Sequence, residues 1–188
     1  MIARAAAPRT VLPALTGARI LATPAVLALI LAGPDHKSAY TAAAIVFAVA
    51  ACTDFADGYL ARRWAVTTKL GSFLDTTADK LLVSAALIAL VEVGRTSAWI
   101  ATIIIGRELV ILGLRGVVAA DGLVFPPSIW GKLKTNVQFV AIFLAIVRWG
   151  GEIGPFFFDE WVMIAAAAIT VLSAVEYLTR FWPALTRG

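Results

Sequence analysis

Six long apolar stretches, each close to the length of a membrane-crossing helix, dominate this chain of 188 residues. An α-helix needs roughly 20 mostly apolar residues to cross the hydrocarbon core of a bilayer. Short segments rich in glycine, proline and charge separate the stretches. The pattern predicts an all-α integral membrane protein with six transmembrane helices, at about residues 17–33, 38–58, 71–93, 98–119, 134–150 and 160–181.

The composition agrees with a membrane location. Hydrophobic residues make up 61% of the chain and charged residues only 15%, whereas soluble domains are nearer half apolar and a quarter charged. The net charge of +4 is better explained by basic loops at anionic lipid headgroups than by nucleic acid. The single cysteine, Cys52, excludes an internal disulfide and is interpreted as a small buried residue.

The N-terminus carries Arg4 and Arg9 ahead of the first apolar stretch, without a small-residue cleavage site after an uninterrupted apolar core. We therefore expect an N-terminal interfacial helix at the membrane surface and no cleaved signal peptide. No internal repeat or low-complexity tract divides the chain, so residues 1–188 are predicted to form a single membrane domain.

The distribution of lysine and arginine predicts the orientation, because cytoplasmic loops carry an excess of these residues. With a cytoplasmic N-terminus, only three basic residues fall on the far side, namely Lys37, Arg95 and Arg148. The cytoplasmic side receives eleven, namely Arg4, Arg9, Arg62, Arg63, Lys69, Lys80, Arg115, Lys132, Lys134, Arg180 and Arg187. Both termini are therefore predicted to be cytoplasmic, in a bacterial inner or plasma membrane.

Four aspartates lie near the predicted cytoplasmic ends of the second and third stretches: Asp54, Asp57, Asp75 and Asp79. Residues three or four apart share one face of a helix, so each pair points the same way. Clustered carboxylates repel one another unless cations neutralise them or some are protonated. Oxygen ligands favour Mg²⁺ or Mn²⁺ over zinc. The sequence predicts a site for two such ions, open to the cytoplasm.

Small residues on the same helix faces leave space for a ligand beside these carboxylates. Gly58 follows Asp54 by one turn, Ala61 follows Asp57, and Gly71 precedes Asp75. The alternative is that these residues serve helix packing. Arg62 could bind phosphate oxygens bidentately, or could be a positive anchor at the membrane surface. Together these features indicate a polyphosphate substrate, with one aspartate acting as base toward an attacking hydroxyl.

The stretch "DFADGYLAR", then eight residues, then "GSFLDTTAD" resembles the signature of the CDP-alcohol phosphotransferase family. The resemblance implies a homodimer with six transmembrane helices that displaces CMP from a CDP-linked alcohol. It implies metal-ligand roles for Asp54, Asp57 and Asp75, and a combined metal-ligand and base role for Asp79. Contacts to the CDP moiety are implied for Gly58, Arg62 and Thr68.

Outside the signature, the segments "LTGARI", "GRELVILGLRG" and "GKLKT" are similar to phosphatidylglycerophosphate synthases, which join glycerol 3-phosphate to CDP-diacylglycerol. Two positions depart from that subfamily. Pro13 stands where asparagine is usual, which affects the expected donor contacts near Thr16. Thr76 stands where proline is frequent, which affects local helix shape.

Basic residues in the second half suit an anionic acceptor, and we predict a phosphate pocket from Arg107, Arg115, Lys132 and Lys134. Arg107 lies well inside an apolar stretch, and a buried arginine needs a partner. Adjacent Glu108 could supply it, so a purely structural ion pair is the alternative. The lone histidine, His36, is predicted to lie on the far side and to take no part in catalysis.

The leading hypothesis is a metal-dependent enzyme of phospholipid synthesis that makes phosphatidylglycerophosphate and CMP. Phosphatidylglycerol as the acceptor, which would give cardiolipin, or an inositol phosphate remain alternatives with the same chemistry. From a different class, a cation transporter would use intramembrane carboxylates near the bilayer midplane on broken helices. These aspartates instead lie at one end of the predicted bundle, beside Arg62.

Overall fold

The computed structural model describes the backbone of residues 7–64, 69–120 and 129–185. It describes side chains within residues 16–53, 71–119 and 131–182, apart from positions 72, 132 and 181. These parts of the chain hold six long helices and one small hairpin. The helices are α1 (Ala7–Leu31), α2 (Lys37–Trp64), α3 (Lys69–Glu92), α4 (Ala98–Ala120), α5 (Ile129–Val147) and α6 (Phe158–Leu185), and the strands are β1 (Glu152–Ile153) and β2 (Phe156–Phe157).

The predicted all-α class and the six helices are confirmed, but the boundaries differ in ways that matter. The separate N-terminal interfacial helix is wrong for the described residues, because α1 is continuous from Ala7 to Leu31. Pro13 lies between the N-terminal basic residues and the apolar stretch, but the helix continues through it. Helix α2 continues to Trp64, so it carries the first half of the aspartate signature within one regular element.

Membrane crossing is supported less uniformly than predicted. Among the described residues, one helix, Phe158–Arg180, is both long and apolar enough to span a bilayer by itself. Shorter apolar helical segments lie at Thr16–Leu31, Lys37–Thr53 and Leu133–Val147. Charged side chains interrupt the remaining apolar runs, as Arg107, Glu108 and Arg115 do in α4. The residues that weaken the transmembrane pattern are therefore the same ones that suggest a site.

The chain divides into two compact units, residues 1–93 and residues 94–188. In the first unit, α1 packs against both α2 and α3. Its core contains Ile30 from α1, Phe47 from α2, and Leu82 and Leu90 from α3, all buried. Gly33, in the turn between α1 and α2, lies against the Tyr40 ring, so a Cβ at this position would displace the ring.

In the second unit, α6 packs against α4 and α5. Buried side chains include Ile104 of α4, Ile142 of α5, and Met163 and Ala166 of α6. Helix α4 starts after Ser97, whose hydroxyl accepts a hydrogen bond from the backbone N–H of Trp99 at 3.2 Å. This is an N-cap, which satisfies one of the free donors at the start of the helix.

A short antiparallel hairpin between α5 and α6 was not predicted. Strands β1 and β2 pair Glu152 with Phe157 and Ile153 with Phe156. The Trp161 indole N–H donates to the Ile153 carbonyl at 2.9 Å, which ties the hairpin to the first turn of α6. Strands of two residues give no alternating pattern to detect, so only the turn residues Gly154 and Pro155 marked this segment in the sequence.

Many large apolar side chains are exposed in both units. Val49 and Ile88 in the first unit and Leu109 and Leu172 in the second are each more than half exposed. A soluble monomer buries most of its large apolar side chains. Such surface suits a lipid environment.

Candidate active site

The backbone of α2 carries one half of the aspartate signature. Asp54, Asp57, Gly58, Ala61 and Arg62 all lie in the last three turns of this helix. Their i, i+3 and i+4 spacing therefore places them along one side of a regular helix. The side chains of these residues lie outside the described set, and Thr68 lies outside the described backbone. Their predicted roles stay predictions.

Helix α3 carries the other half. Gly71, Asp75 and Asp79 follow one another at single-turn intervals on this helix. Asp79 is buried, with 9% of its surface exposed, whereas the Asp75 side chain is 39% exposed. The two carboxylates thus lie one turn apart on α3, with Asp75 partly exposed and Asp79 buried.

Asp79 has an incomplete set of partners. Its Oδ2 accepts a hydrogen bond from Lys80 Nζ at 2.9 Å. Its Oδ1 is buried and has no hydrogen-bond partner among the residues that the structure describes. A buried carboxylate oxygen without a partner is costly. This oxygen is therefore suited to bind a cation or to accept a proton from a bound hydroxyl.

Asp75 receives a buried arginine from another helix. The Arg19 guanidinium donates from Nη1 to Asp75 Oδ1 at 2.9 Å, and the Arg19 side chain is 0% exposed. Thr16, which lies one turn before Arg19 on α1, is buried as well. No role was predicted for Arg19 from the sequence. Its position inside an apolar stretch was the available signal, because charged residues there mark functional sites.

A second group of buried charged residues lies in the second unit. Glu108 of α4 accepts from Arg107 Nη1 through Oε1 at 3.2 Å, and Lys134 Nζ donates to the same oxygen. Arg107 Nη2 donates to the Ser173 hydroxyl of α6 at 2.8 Å. Helices α4, α5 and α6 therefore each contribute one or more members to this group, which we call the Glu108 cluster (Arg107, Glu108, Lys134 and Ser173).

The Glu108 cluster has more positive than negative charge among its described side chains. Two cations, Arg107 and Lys134, share the single carboxylate of Glu108. Arg107 Nε is buried and has no hydrogen-bond partner within the described residues. Another buried contact between α5 and α6 is polar too, since Gln138 donates to the Thr170 hydroxyl at 2.8 Å. An enclosed site with excess positive charge and a spare N–H is suited to an anion.

The predicted acceptor residues are thus brought together in part. Arg107 and Lys134 meet through Glu108, so the structural ion pair that sequence analysis raised as an alternative is present. Arg115 lies two turns beyond Arg107 on α4 and is exposed. The side chain of Lys132 lies outside the described set. The grouping of Lys134 with Arg107 was predicted, but the Lys134–Glu108 pair and the contact to Ser173 were not, because they join different helices.

Comparison with known proteins identifies the family. The profile of the CDP-alcohol phosphatidyltransferase family matches residues 10–172, a range that includes the signature and every member of the Glu108 cluster except Ser173. A Bacillus subtilis (strain 168) protein named CDP-diacylglycerol–glycerol-3-phosphate 3-phosphatidyltransferase is 43% identical over 148 residues, which cover 78% of this chain and 77% of that protein.

Two further relatives have similar names. A Mycobacterium tuberculosis (strain H37Rv) protein named probable phosphatidylglycerophosphate synthase is 40% identical over 167 residues, covering 88% of this chain and 78% of that protein. A Pseudomonas fluorescens protein that shares the Bacillus protein's name is 38% identical over 162 residues, covering 80% of each chain. These matches confirm the resemblance seen in the signature. The chain belongs to the CDP-alcohol phosphatidyltransferase family.

Proposed function

We propose that the protein transfers the phosphatidyl group of CDP-diacylglycerol to glycerol 3-phosphate, releasing phosphatidylglycerophosphate and CMP. The relatives that match most of the chain are named for this reaction or its product. The observation within the structure that carries the proposal is Asp79, a buried signature carboxylate with one oxygen that lacks a partner among the described residues.

The four signature aspartates would hold two Mg²⁺ or Mn²⁺ ions. Their carboxylate oxygens are the ligand type that these ions prefer, and the open Oδ1 of Asp79 is an oxygen that a cation would satisfy. When bound, the ions would neutralise charge on the diphosphate and on the departing CMP. Asp54, Asp57, Asp75 and Asp79 are the proposed ligands.

Gly58, Ala61, Arg62, Thr68 and Gly71 would hold the CDP portion of the donor. Three of these residues have little or no side chain, which allows the nucleotide to approach the helix backbone. The guanidinium of Arg62 would donate to the diphosphate in a bidentate manner. This assignment places the donor beside the aspartates.

The Glu108 cluster would supply the acceptor site. Arg107 and Lys134 bring two positive charges to one enclosed carboxylate, and the excess would attract the phosphate of glycerol 3-phosphate. Arg115, which is exposed on α4, and Lys132 would attract the same anion toward the cluster. A neutral alcohol would gain nothing from this charge, so the site favours a phosphorylated acceptor.

Chemistry would start at the free hydroxyl of glycerol 3-phosphate. Asp79 takes the hydroxyl proton, and the acceptor oxygen forms a bond to the phosphorus that carries diacylglycerol. The bond from that phosphorus to the bridging oxygen breaks, and its electron pair leaves with CMP. Lys80 Nζ donates a hydrogen bond to Asp79 Oδ2 at 2.9 Å. This contact would hold the carboxylate in place during the transfer.

The proposed setting is a bacterial inner or plasma membrane that all six helices cross, with the active site facing the cytoplasm. This orientation gives the site access to water-soluble glycerol 3-phosphate and to a lipid donor in the bilayer. The exposed apolar side chains of both units suit this location. A homodimer is the proposed assembly.

A CMP-release assay on the purified protein in detergent micelles tests the proposal. CDP-diacylglycerol and Mg²⁺ or Mn²⁺ are supplied with glycerol 3-phosphate, phosphatidylglycerol, inositol phosphate or no acceptor, and the lipid product is identified by mass spectrometry. We expect phosphatidylglycerophosphate only with glycerol 3-phosphate. Cardiolipin or an inositol lipid as the main product would show that the acceptor is phosphatidylglycerol or an inositol phosphate. Activity without a divalent metal would refute the two-ion site.

A further inference from the structure

Arg19 is a buried charge that the proposed reaction does not use. Its side chain is fully enclosed, and its Nη1 lies 2.9 Å from Asp75 Oδ1. Burying a guanidinium is costly unless an acid compensates it. The acid that does so here belongs to the aspartate signature and lies 56 residues further along the chain. Arg19 is therefore placed to influence how Asp75 binds a ligand.

The bond to Arg19 occupies one of the two Asp75 oxygens. Asp75 remains 39% exposed, and within the described side chains Arg19 is its only polar contact. The guanidinium takes one lone pair of Oδ1 and competes with a metal ion for that oxygen, whereas the other oxygen is unaffected. Arg19 thus favours one-oxygen ligation by Asp75.

One-oxygen ligation discriminates between divalent cations. Ca²⁺ takes six to eight oxygens in flexible geometry and readily accepts a carboxylate through both oxygens, whereas Mg²⁺ demands near-octahedral geometry. We propose that Arg19 is a positioning residue that holds Asp75 as a one-oxygen ligand and thereby disfavours Ca²⁺ relative to Mg²⁺. This inference rests on the proposed two-ion site.

Cation binding without lipid substrates provides the test. Mn²⁺ binding to the purified protein is followed by the electron paramagnetic resonance signal of free Mn²⁺, and Ca²⁺ and Mg²⁺ are added as competitors. The quantity compared is the ratio of their dissociation constants, because loss of a positive charge would strengthen the binding of both ions. In Arg19→Gln we expect this ratio to shift toward Ca²⁺ by about tenfold, the equivalent of one hydrogen bond to a charged group.

Two further variants make the result specific. Arg19→Lys keeps the charge but lacks the rigid fork of arginine, so the ratio should shift in the same direction by a smaller factor. Arg148→Gln removes another arginine that contacts acids, Asp159 and Glu160 in the second unit, and should leave the ratio unchanged. If Arg19→Gln does not fold, Arg19→Lys decides the question.

The outcomes separate this inference from the proposal on which it rests. Wild-type protein that binds Mn²⁺, with the same ratio in wild type and in the Arg19 variants, would overturn the role of Arg19 and leave the two-ion site intact. Wild-type protein that binds no Mn²⁺ would overturn both. A shift of equal size in Arg148→Gln would show a general charge effect and would also overturn the role of Arg19.

Discussion

Two of the buried charged groups in the described part of the chain differ in their balance of charge. On α3, Asp79 is enclosed with one oxygen that lacks a partner among the described residues. In the Glu108 cluster one carboxylate oxygen has two cationic partners, since Arg107 and Lys134 both donate to Glu108 Oε1. Lys80 and Arg19 pair with Asp79 and Asp75 in the first group, yet one buried carboxylate oxygen is still unsatisfied there. In the second group, two cations share one carboxylate among the described side chains. The acidic group is therefore suited to a further cation, and the Glu108 cluster to an anion.

The largest expected effect is at the acidic group. Asp79→Asn removes the proposed base and one metal ligand while keeping the side chain's size. A positioned general base contributes about 10²- to 10⁴-fold to rate, so kcat should fall by at least that factor in the CMP-release assay.

Asp35→Asn is the matched control for this change, because Asp35 is an exposed acid in the turn after α1. It should retain wild-type kcat. Near-normal turnover in Asp79→Asn would remove Asp79 from the reaction and, with it, the contrast between the two groups.

At the Glu108 cluster, the main effect of a substitution is expected on the stability of the protein. Glu108→Gln leaves two buried cations without their shared carboxylate, and breaking a buried ion pair in this way costs about 3–5 kcal/mol. The melting temperature in detergent should therefore drop. Glycerol 3-phosphate should raise it more in Glu108→Gln than in wild type, because a bound phosphate would replace the missing negative charge.

Glu152→Gln is the control for this experiment, since Glu152 is exposed in the hairpin. It should leave both the melting temperature and the ligand response unchanged. A destabilised Glu108→Gln protein that glycerol 3-phosphate does not stabilise would reduce the cluster to a structural ion pair.

These two regions also show what the sequence could and could not predict. The i, i+4 spacing of Asp75 and Asp79 implies a shared helix face because helical geometry is local, and likewise Arg107 and Glu108 are neighbours in the chain. The Arg19–Asp75 contact joins residues 56 positions apart, and Lys134 and Glu108 are 26 apart. Such contacts depend on how helices pack, which apolar periodicity does not specify.

The helices themselves were easier to predict than their ends. Apolar length identified all six, yet the predicted fifth stretch began at residue 134, five residues after the helix start at Ile129. Lys132 precedes the apolar run and interrupts its pattern. Burial of Lys134 against Glu108 explains why a charged residue belongs to that helix. Tertiary pairing here outweighed the local pattern.

A smaller effect is expected at the exposed end of the acceptor group. Arg115 is exposed, and exposed ion pairs are worth about 0.2–1 kcal/mol. Arg115→Ala should therefore raise the apparent KM for glycerol 3-phosphate by a factor of about five or less, with the KM for CDP-diacylglycerol unchanged. An equal rise for both substrates would assign Arg115 to general electrostatics at the membrane surface.

The smallest effect on activity is expected at the hairpin. Glu160 accepts a hydrogen bond from the Phe157 N–H at 2.9 Å and pairs with Arg148, so it caps α6 and holds the hairpin. Glu160→Ala should lower the free energy of unfolding by about 0.5–2 kcal/mol, as loss of a helix cap does. Both KM values should stay at wild-type levels, and a changed KM would link the hairpin to the site.

The most important proposal to test is that the Glu108 cluster, rather than Arg62 and the signature aspartates, holds the acceptor's phosphate. Its most direct test is the apparent KM of both substrates in Arg107→Met, with Arg180→Ala as an exposed control on α6. A hydrogen bond to a charged group is worth about 1.5–3 kcal/mol. The account predicts that the KM for glycerol 3-phosphate rises about ten- to hundredfold, while the KM for CDP-diacylglycerol and all values in Arg180→Ala stay near wild type. A rise confined to CDP-diacylglycerol, or equal for both substrates, would contradict it.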